Sequence, residues 1–207
     1  MNIIYYVFRT IGLVTLCPLY FRFKAKGKEH VPKKGGFILV SNHRSNLDPV
    51  VLSFASPRVL NFLARDTLFR NPAFSLFIRS LNAHAIKRGQ ADLGAIKLGI
   101  DILSRGEGLL IFPEGTRSVT GELGPGKPGV AMMALKARVP VIPAWIDGTQ
   151  DAMPKGSSGI RPARITVTMG SPADLSDLVN LPQHTREHYN EALSRIMESV
   201  ARIPRTK

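Results

Sequence analysis

Residues 37–49 read FILVSNHRSNLDP, and the interpretation of this stretch sets the fold. Phe37, Ile38, Leu39 and Val40 are apolar without alternation, as in a strand buried on both faces of a sheet. Polar and turn-forming residues follow, and then Asp48–Pro49. Proline's fixed φ suits the first position of a helix, and a carboxylate there can accept backbone N–H groups that the helix end leaves unpaired. A buried strand that turns directly into a helix is expected.

The pattern recurs outward from there. Further strands are expected at Val59–Ala64, His84–Lys87, Leu109–Phe112, Val139–Trp145 and Ile165–Met169. Helices are expected at Pro49–Ala55, Pro72–Leu81, Asp92–Ser104, Gly129–Arg138 and His184–Ile203. In the third, Leu93, Ile96, Ile100 and Leu103 fall on one face; in the last, Tyr189, Leu193, Ile196, Val200 and Ile203 do. Strands alternating with helices imply a single α/β domain over 25–207, with a mainly parallel sheet flanked by helices. Ligands then belong at the C-terminal ends of the strands. The 207 residues suit one domain, and 148–162 reads as a surface loop from its Gly, Pro and Ser.

Charge narrows the partners. Twenty-eight Lys and Arg against 15 Asp and Glu give a net charge of +13, which fits phosphates, anionic lipid or an acidic protein. Aromatics are not interleaved with a basic stripe, as nucleic-acid stacking would require, so nucleic acid is not expected. The lone cysteine, Cys17, excludes an internal disulfide framework and a cysteine-based zinc site. No metal site is expected: His184 and His188 sit four apart but lack a third ligand, and read as a solvated helix face. GPGKPG, 124–129, has dinucleotide-fingerprint spacing, yet no strand leads into it and two of its residues are prolines without an N–H.

Residues 1–24 form an apolar segment, and residues 22–34 hold six Lys or Arg against Glu29 alone. About 15 residues precede Pro18, reaching about 22 Å as a helix against a hydrocarbon core of about 30 Å. The segment is therefore expected to lie in one leaflet, with its basic flank on anionic headgroups. Packing on the protein's own core is the alternative.

Two stretches carry candidate chemistry. His43 and Asp48 are either a strand-end polar residue and a helix cap, or a general base and the carboxylate that orients it. In 106–129, GEGLLIFPEGTRSVTGELGPGKPG, a buried strand runs into a tight turn that exposes Glu114, Thr116, Arg117 and Ser118. This is either a surface turn with an i,i+3 ion pair or a site for a phosphate, which arginine's planar fork fits and Lys127 would assist.

Taken together, NHRSNLD at 42–48 and FPEGTRS at 112–118 resemble the glycerolipid acyltransferase family, of the 1-acyl-sn-glycerol-3-phosphate acyltransferase type. IKRG at 86–89 and VPVIPA at 139–144 look like its second and fourth blocks, so the likeness covers roughly 25–170. The resemblance implies that His43 deprotonates an acceptor hydroxyl, that Asp48 orients it, and that Glu114 and Arg117, with Gly115 for the turn and helped by Arg88, hold the glycerol phosphate; Thr116 and Lys127 are further substrate-binding candidates. It further implies a lysophospholipid acceptor, acyl-CoA or acyl carrier protein as donor, no cofactor, and a place at the cytoplasmic face of the cell membrane. Lys87, and the GKPG at 126–129, depart from the usual pattern in parts that would touch the phosphate. A thioesterase or transacylase using the same pair, and a non-enzymatic anion-binding module, are the rival readings.

Overall fold

A computed structural model describes residues 10–11, 20–86, 93–118, 120–157 and 159–205. Seven strands form one sheet: β1 (Lys24–Lys26), β2 (Phe37–Ser41), β3 (Leu60–Arg65), β4 (Ala83–Ile86), β5 (Gly108–Ile111), β6 (Val141–Asp147) and β7 (Thr166–Met169), in the order β1-β7-β6-β2-β5-β3-β4. All neighbours pair in parallel except β6 and β7. The helices are α1 (Asp48–Ala55), α2 (Pro72–Ser80), α3 (Leu93–Ser104), α4 (Gly129–Ala137), α5 (Thr149–Ala152), α6 (Ser176–Val179) and α7 (Arg186–Ala201).

The unbroken apolar run of β2 follows from its central place. Phe37 and Leu39 face one layer, with Leu52 of α1 and Leu60 and Phe62 of β3. Ile38 and Val40 face the other, with Ile102 of α3, Ala134 of α4 and Ile196 of α7. All four apolar β2 side chains are fully buried, and each such burial contributes roughly 1.5–3 kcal/mol.

Three expectations change. Lys24–Lys26, read as part of a basic flank, forms a short edge strand whose register on β7 pairs Ala25 with Val167; alternating charge suits an edge, where one side meets water. The buried stripe of α3 is Ala95, Gly99, Ile102 and Leu103, with Ile96 and Ile100 packed at its margin and Leu93 exposed. Small residues face inward there because α3 approaches α4 closely: a Cβ on Gly99 would stand 2.2 Å from Met133 Sδ. The loop expected at 148–162 opens with α5, whose Ala152 is buried.

Gly148 makes the turn from β6 into α5 at φ 87°, and a Cβ there would stand 1.9 Å from the Arg164 carbonyl oxygen. Both the backbone conformation and the space require glycine. Gly148→Ala is expected to destabilise the fold by about 2 kcal/mol or more, read as a lower urea midpoint with an unchanged slope. A midpoint equal to that of the wild type would show that the two backbones can part freely.

The apolar segment 1–24 lies largely outside the described residues. At its described end, Phe21 is buried in the core and Tyr20 is exposed. Among the described residues no helix is long and apolar enough to cross a membrane.

Candidate active site

The site begins where β2 leaves the sheet. Asn42, the residue after the strand, is buried and clasps the backbone of Ile146: its Nδ2 donates to the carbonyl oxygen at 3.0 Å, and its Oδ1 accepts the N–H at 2.8 Å. A side-chain amide thus continues the β2–β6 ladder while the main chain turns away. Asn42 was given no role from sequence; a polar residue directly after an all-buried strand is the signal that could have found it.

Past this clamp the chain folds back on itself. Asp48, fully buried, accepts three hydrogen bonds on one oxygen: from the backbone N–H of Arg44 at 2.6 Å, from that of Ser45 at 2.8 Å, and from His43 Nδ1 at 2.8 Å. The carboxylate therefore does not cap the first turn of α1, as expected from the Asp-Pro pair. It turns backward and caps the loop before the helix. Pro49 follows it at the helix start, with no N–H to satisfy. With Nδ1–H donating to Asp48, the proton-accepting nitrogen of neutral His43 is Nε2.

The second motif leaves β5 beside the first. The His43 ring stacks on Phe112, centroids 4.0 Å apart and planes within 17°. The Ser118 N–H donates to the His43 carbonyl at 2.8 Å. Glu114, only 8 % exposed, accepts from the His43 backbone N–H at 3.2 Å and from that of Gly124 at 3.1 Å, one on each oxygen. The turn was expected to expose the Glu114 carboxylate; it points inward instead and ties the two loops together.

Gly115 turns the loop at φ 70°, with Lys127 Nζ 2.9 Å from where a Cβ would lie. The Lys127 ammonium is thus brought over the FPEGTR turn, and the Lys127 N–H is bonded to the Pro113 carbonyl at 2.9 Å. Thr116 is exposed and Arg117 half-exposed. Among the described residues neither Arg117 nor Lys127 joins a salt bridge, whereas Arg44 is held at 3.4 Å from Asp147. Arg88 lies outside the described residues.

Three further histidines have structural duties. His84 Nε2 donates to Asn61 Oδ1 at 2.9 Å, and burial, with Arg105 nearby, lowers its pKa so that the neutral ring is favoured. His184 and His188 are not a solvated face. His184 Nε2 donates to the Leu178 carbonyl, and His188 closes a capping box with Thr185 at the start of α7. Among the described residues no group of His, Cys, Asp or Glu has the arrangement of a metal site.

A histidine with one nitrogen fixed by a buried carboxylate, beside a loop presenting unpaired cations, has the geometry that general-base chemistry on an anionic substrate requires. Residues 22–147 match the Acyltransferase family, and the chain belongs to it; the protein is an acyltransferase.

The chain is 28% identical over 182 residues to the 1-acyl-sn-glycerol-3-phosphate acyltransferase of Bacillus subtilis, covering 87% of this chain and 88% of that one. It is 34% identical over 144 residues to the enzyme of that name from Streptococcus pneumoniae, covering 69% of this chain and 52% of that one. The Cocos nucifera protein of that name is 34% identical over 143 residues, with 68% and 46% covered. The chain thus spans most of the first relative and about half of the other two. The same fold is seen in the crystal structure of the 1-acyl-sn-glycerophosphate acyltransferase PlsC from Thermotoga maritima, with a TM-score of 0.68 at 24% identity, covering 100% of this chain and 96% of that one.

Proposed function

We propose that the protein transfers a fatty acyl group from an acyl thioester to the free hydroxyl of 1-acyl-glycerol-3-phosphate, making phosphatidic acid. The observation that carries this reading is the His43–Asp48 pair set against the FPEGTR turn. His43 Nε2 takes the hydroxyl proton as the oxygen attacks the thioester carbonyl, and Asp48 stabilises the imidazolium that forms. Collapse of the tetrahedral intermediate breaks the carbon–sulfur bond, and the departing thiolate takes the proton back from His43. A thioester is already activated, so base catalysis and positioning suffice for the step.

Arg117 and Lys127, with Arg88, supply positive charge for the acceptor's phosphate, Thr116 a hydroxyl, and Gly115 the turn that gathers them. The donor is acyl-CoA or acyl carrier protein, whose acidity suits the basic surface. The apolar segment 1–24 associates with the cytoplasmic face of the cell membrane, its basic flank on anionic lipid.

The test is thiol release from palmitoyl-CoA in lipid micelles, with and without lysophosphatidic acid, for wild type and Arg117→Ala. Release that needs the acceptor is expected, and Arg117→Ala should raise KM for the acceptor about tenfold or more, the scale for a lost charged contact to phosphate. Release without acceptor would make the protein a thioesterase. An unchanged acceptor KM would remove Arg117 from the phosphate site.

A further inference from the structure

Seven large apolar residues are exposed among the described residues: Ile11, Tyr20, Leu68, Phe74, Leu76, Leu93 and Ile160. Ile11 and Tyr20 lie in the N-terminal segment; Tyr20 and the other five share one end of the molecule. Leu68 is in the 3-10 turn Asp66–Phe69 directly after β3, Phe74 and Leu76 are in the first two turns of α2, and Leu93 opens α3 after β4. Because β3 and β4 run parallel to β2 and β5, these connections leave the end of the sheet at which His43 sits. β7 and β1 run the other way relative to β6, so Tyr20, before β1, and Ile160, before β7, lie at that end too. They are joined there by the Tyr20 hydroxyl donating to the Ile160 carbonyl at 3.0 Å. Among the described residues, no large exposed apolar side chain lies on the connections at the opposite end.

Leu76 is 72 % and Leu93 69 % exposed, far beyond what a solvated helix needs. α2 has nine residues and buries Ile78 alone, although a helix that short depends on an apolar face being covered. Charge accompanies the apolar points. Residues 65–71 and 153–164 hold Arg65, Arg70, Lys155, Arg161 and Arg164 against the single acid Asp66, and all five cations are exposed.

The two apolar points stand at opposite edges of the sheet, β1–β7 and β3–β4. Six strand spacings of about 4.8 Å put them roughly 29 Å apart, with His43 on the central strand between them. A small acidic protein would cover one point; a flat anionic surface meets both.

We propose that the end of the sheet bearing His43 docks flat on an anionic lipid bilayer, and that residues 65–76 form a second lipid contact across the site from the N-terminal segment. Leucine and phenylalanine enter the acyl boundary while the arginines stay at the phosphates. A lysolipid can then present its hydroxyl to His43 without leaving the surface. The docking face rests on the proposed acyl transfer only for its activity readout; vesicle binding tests it alone.

The full chain, a Leu68→Asp/Leu76→Asp variant and an Arg65→Gln/Arg70→Gln variant would be sedimented with vesicles of phosphatidylglycerol and phosphatidylcholine. Each would also be assayed on acceptor held in those vesicles and on a short-chain acceptor monomeric in water. The leucine variant is expected to bind vesicles about tenfold more weakly and to lose vesicle-dependent turnover in proportion, with short-chain turnover within twofold of wild type. The arginine variant, which removes no apolar contact, should lose binding to phosphatidylglycerol vesicles while binding to pure phosphatidylcholine stays the same. That result upholds the proposal even if the leucine variant fails to fold. Vesicle binding unchanged in both variants would overturn it. So would unchanged vesicle binding with weakened affinity for acyl carrier protein, or with loss of a self-associated form in sedimentation, since the patch would then belong to a protein partner. Acceptor turnover absent from the wild type, with vesicle binding weakened in the variants, would sink the proposed reaction and leave the docking face standing.

Discussion

His43→Ala is expected to lower acyl transfer by about three to four orders of magnitude while the protein stays folded. General-base catalysis by a positioned side chain contributes about 10²–10⁴-fold, and in the proposed reaction the same ring also returns the proton to the leaving thiolate, so both halves of the step would lose their proton carrier. The stability cost is small by comparison. His43 follows the end of β2, its ring is partly exposed, and its main packing contact is the stack on Phe112, for which about 0.5–1.5 kcal/mol is a fair scale. Asp48 keeps its two backbone donors, Arg44 and Ser45, so the buried charge is not abandoned. Initial rates of thiol release with acceptor present, beside a thermal melt, separate the two effects. Activity within tenfold of wild type in a folded His43→Ala protein would remove His43 from the chemistry.

The parts of this architecture that depend on local pattern were legible in the sequence. The all-apolar FILV of β2, the Asp-Pro helix start and the helical periodicity of the later segments placed the central strands and most helices within a residue or two. The two motifs were paired by the family resemblance; the structure brings them together because each follows a buried strand, and in a parallel sheet such strands end on the same side. What stayed hidden depends on contacts between distant residues. Glu114 is turned inward by an N–H seventy-one positions away in the chain, and Asn42 by a backbone one hundred and four positions away. Neither partner leaves a trace in the local sequence. The stripe of α3 was misplaced for a related reason: periodicity marks large apolar residues, whereas the closeness of α4 selects small ones, Ala95 and Gly99, for the inner face. The edge strand β1 was hidden by its charge, since KAK satisfies an edge without resembling a core strand.

Asp48 joins the fold to the proposed chemistry in one side chain, and two substitutions separate them. Asp48→Ala removes the acceptor of three hydrogen bonds in a fully buried position. Two backbone N–H groups and a ring N–H then lose their partner, and each unsatisfied buried group costs about 1–3 kcal/mol. A loss of roughly 3–5 kcal/mol is expected, a large part of a typical domain's stability, with inactivity that says little about mechanism. Asp48→Asn keeps the volume and one acceptor oxygen, so the loop from His43 to Asp48 can still be closed through the Arg44 and Ser45 N–H groups. It removes the negative charge that, in the proposed reaction, stabilises the imidazolium and holds the ring with Nδ1 protonated. Because one oxygen meets all three donors, the amide oxygen takes that place, and His43 Nδ1–H then faces a neutral acceptor in place of a charge. Asp48→Asn is therefore expected to cost about 1–2 kcal/mol of stability, the scale for a charged hydrogen bond replaced by a weaker one, but about 10³–10⁴ in turnover. Urea denaturation and steady-state rates on the same preparations measure both. Should Asp48→Asn instead keep near-wild-type turnover, Asp48 would be the clasp of its loop alone, and His43 would draw its tautomer from elsewhere.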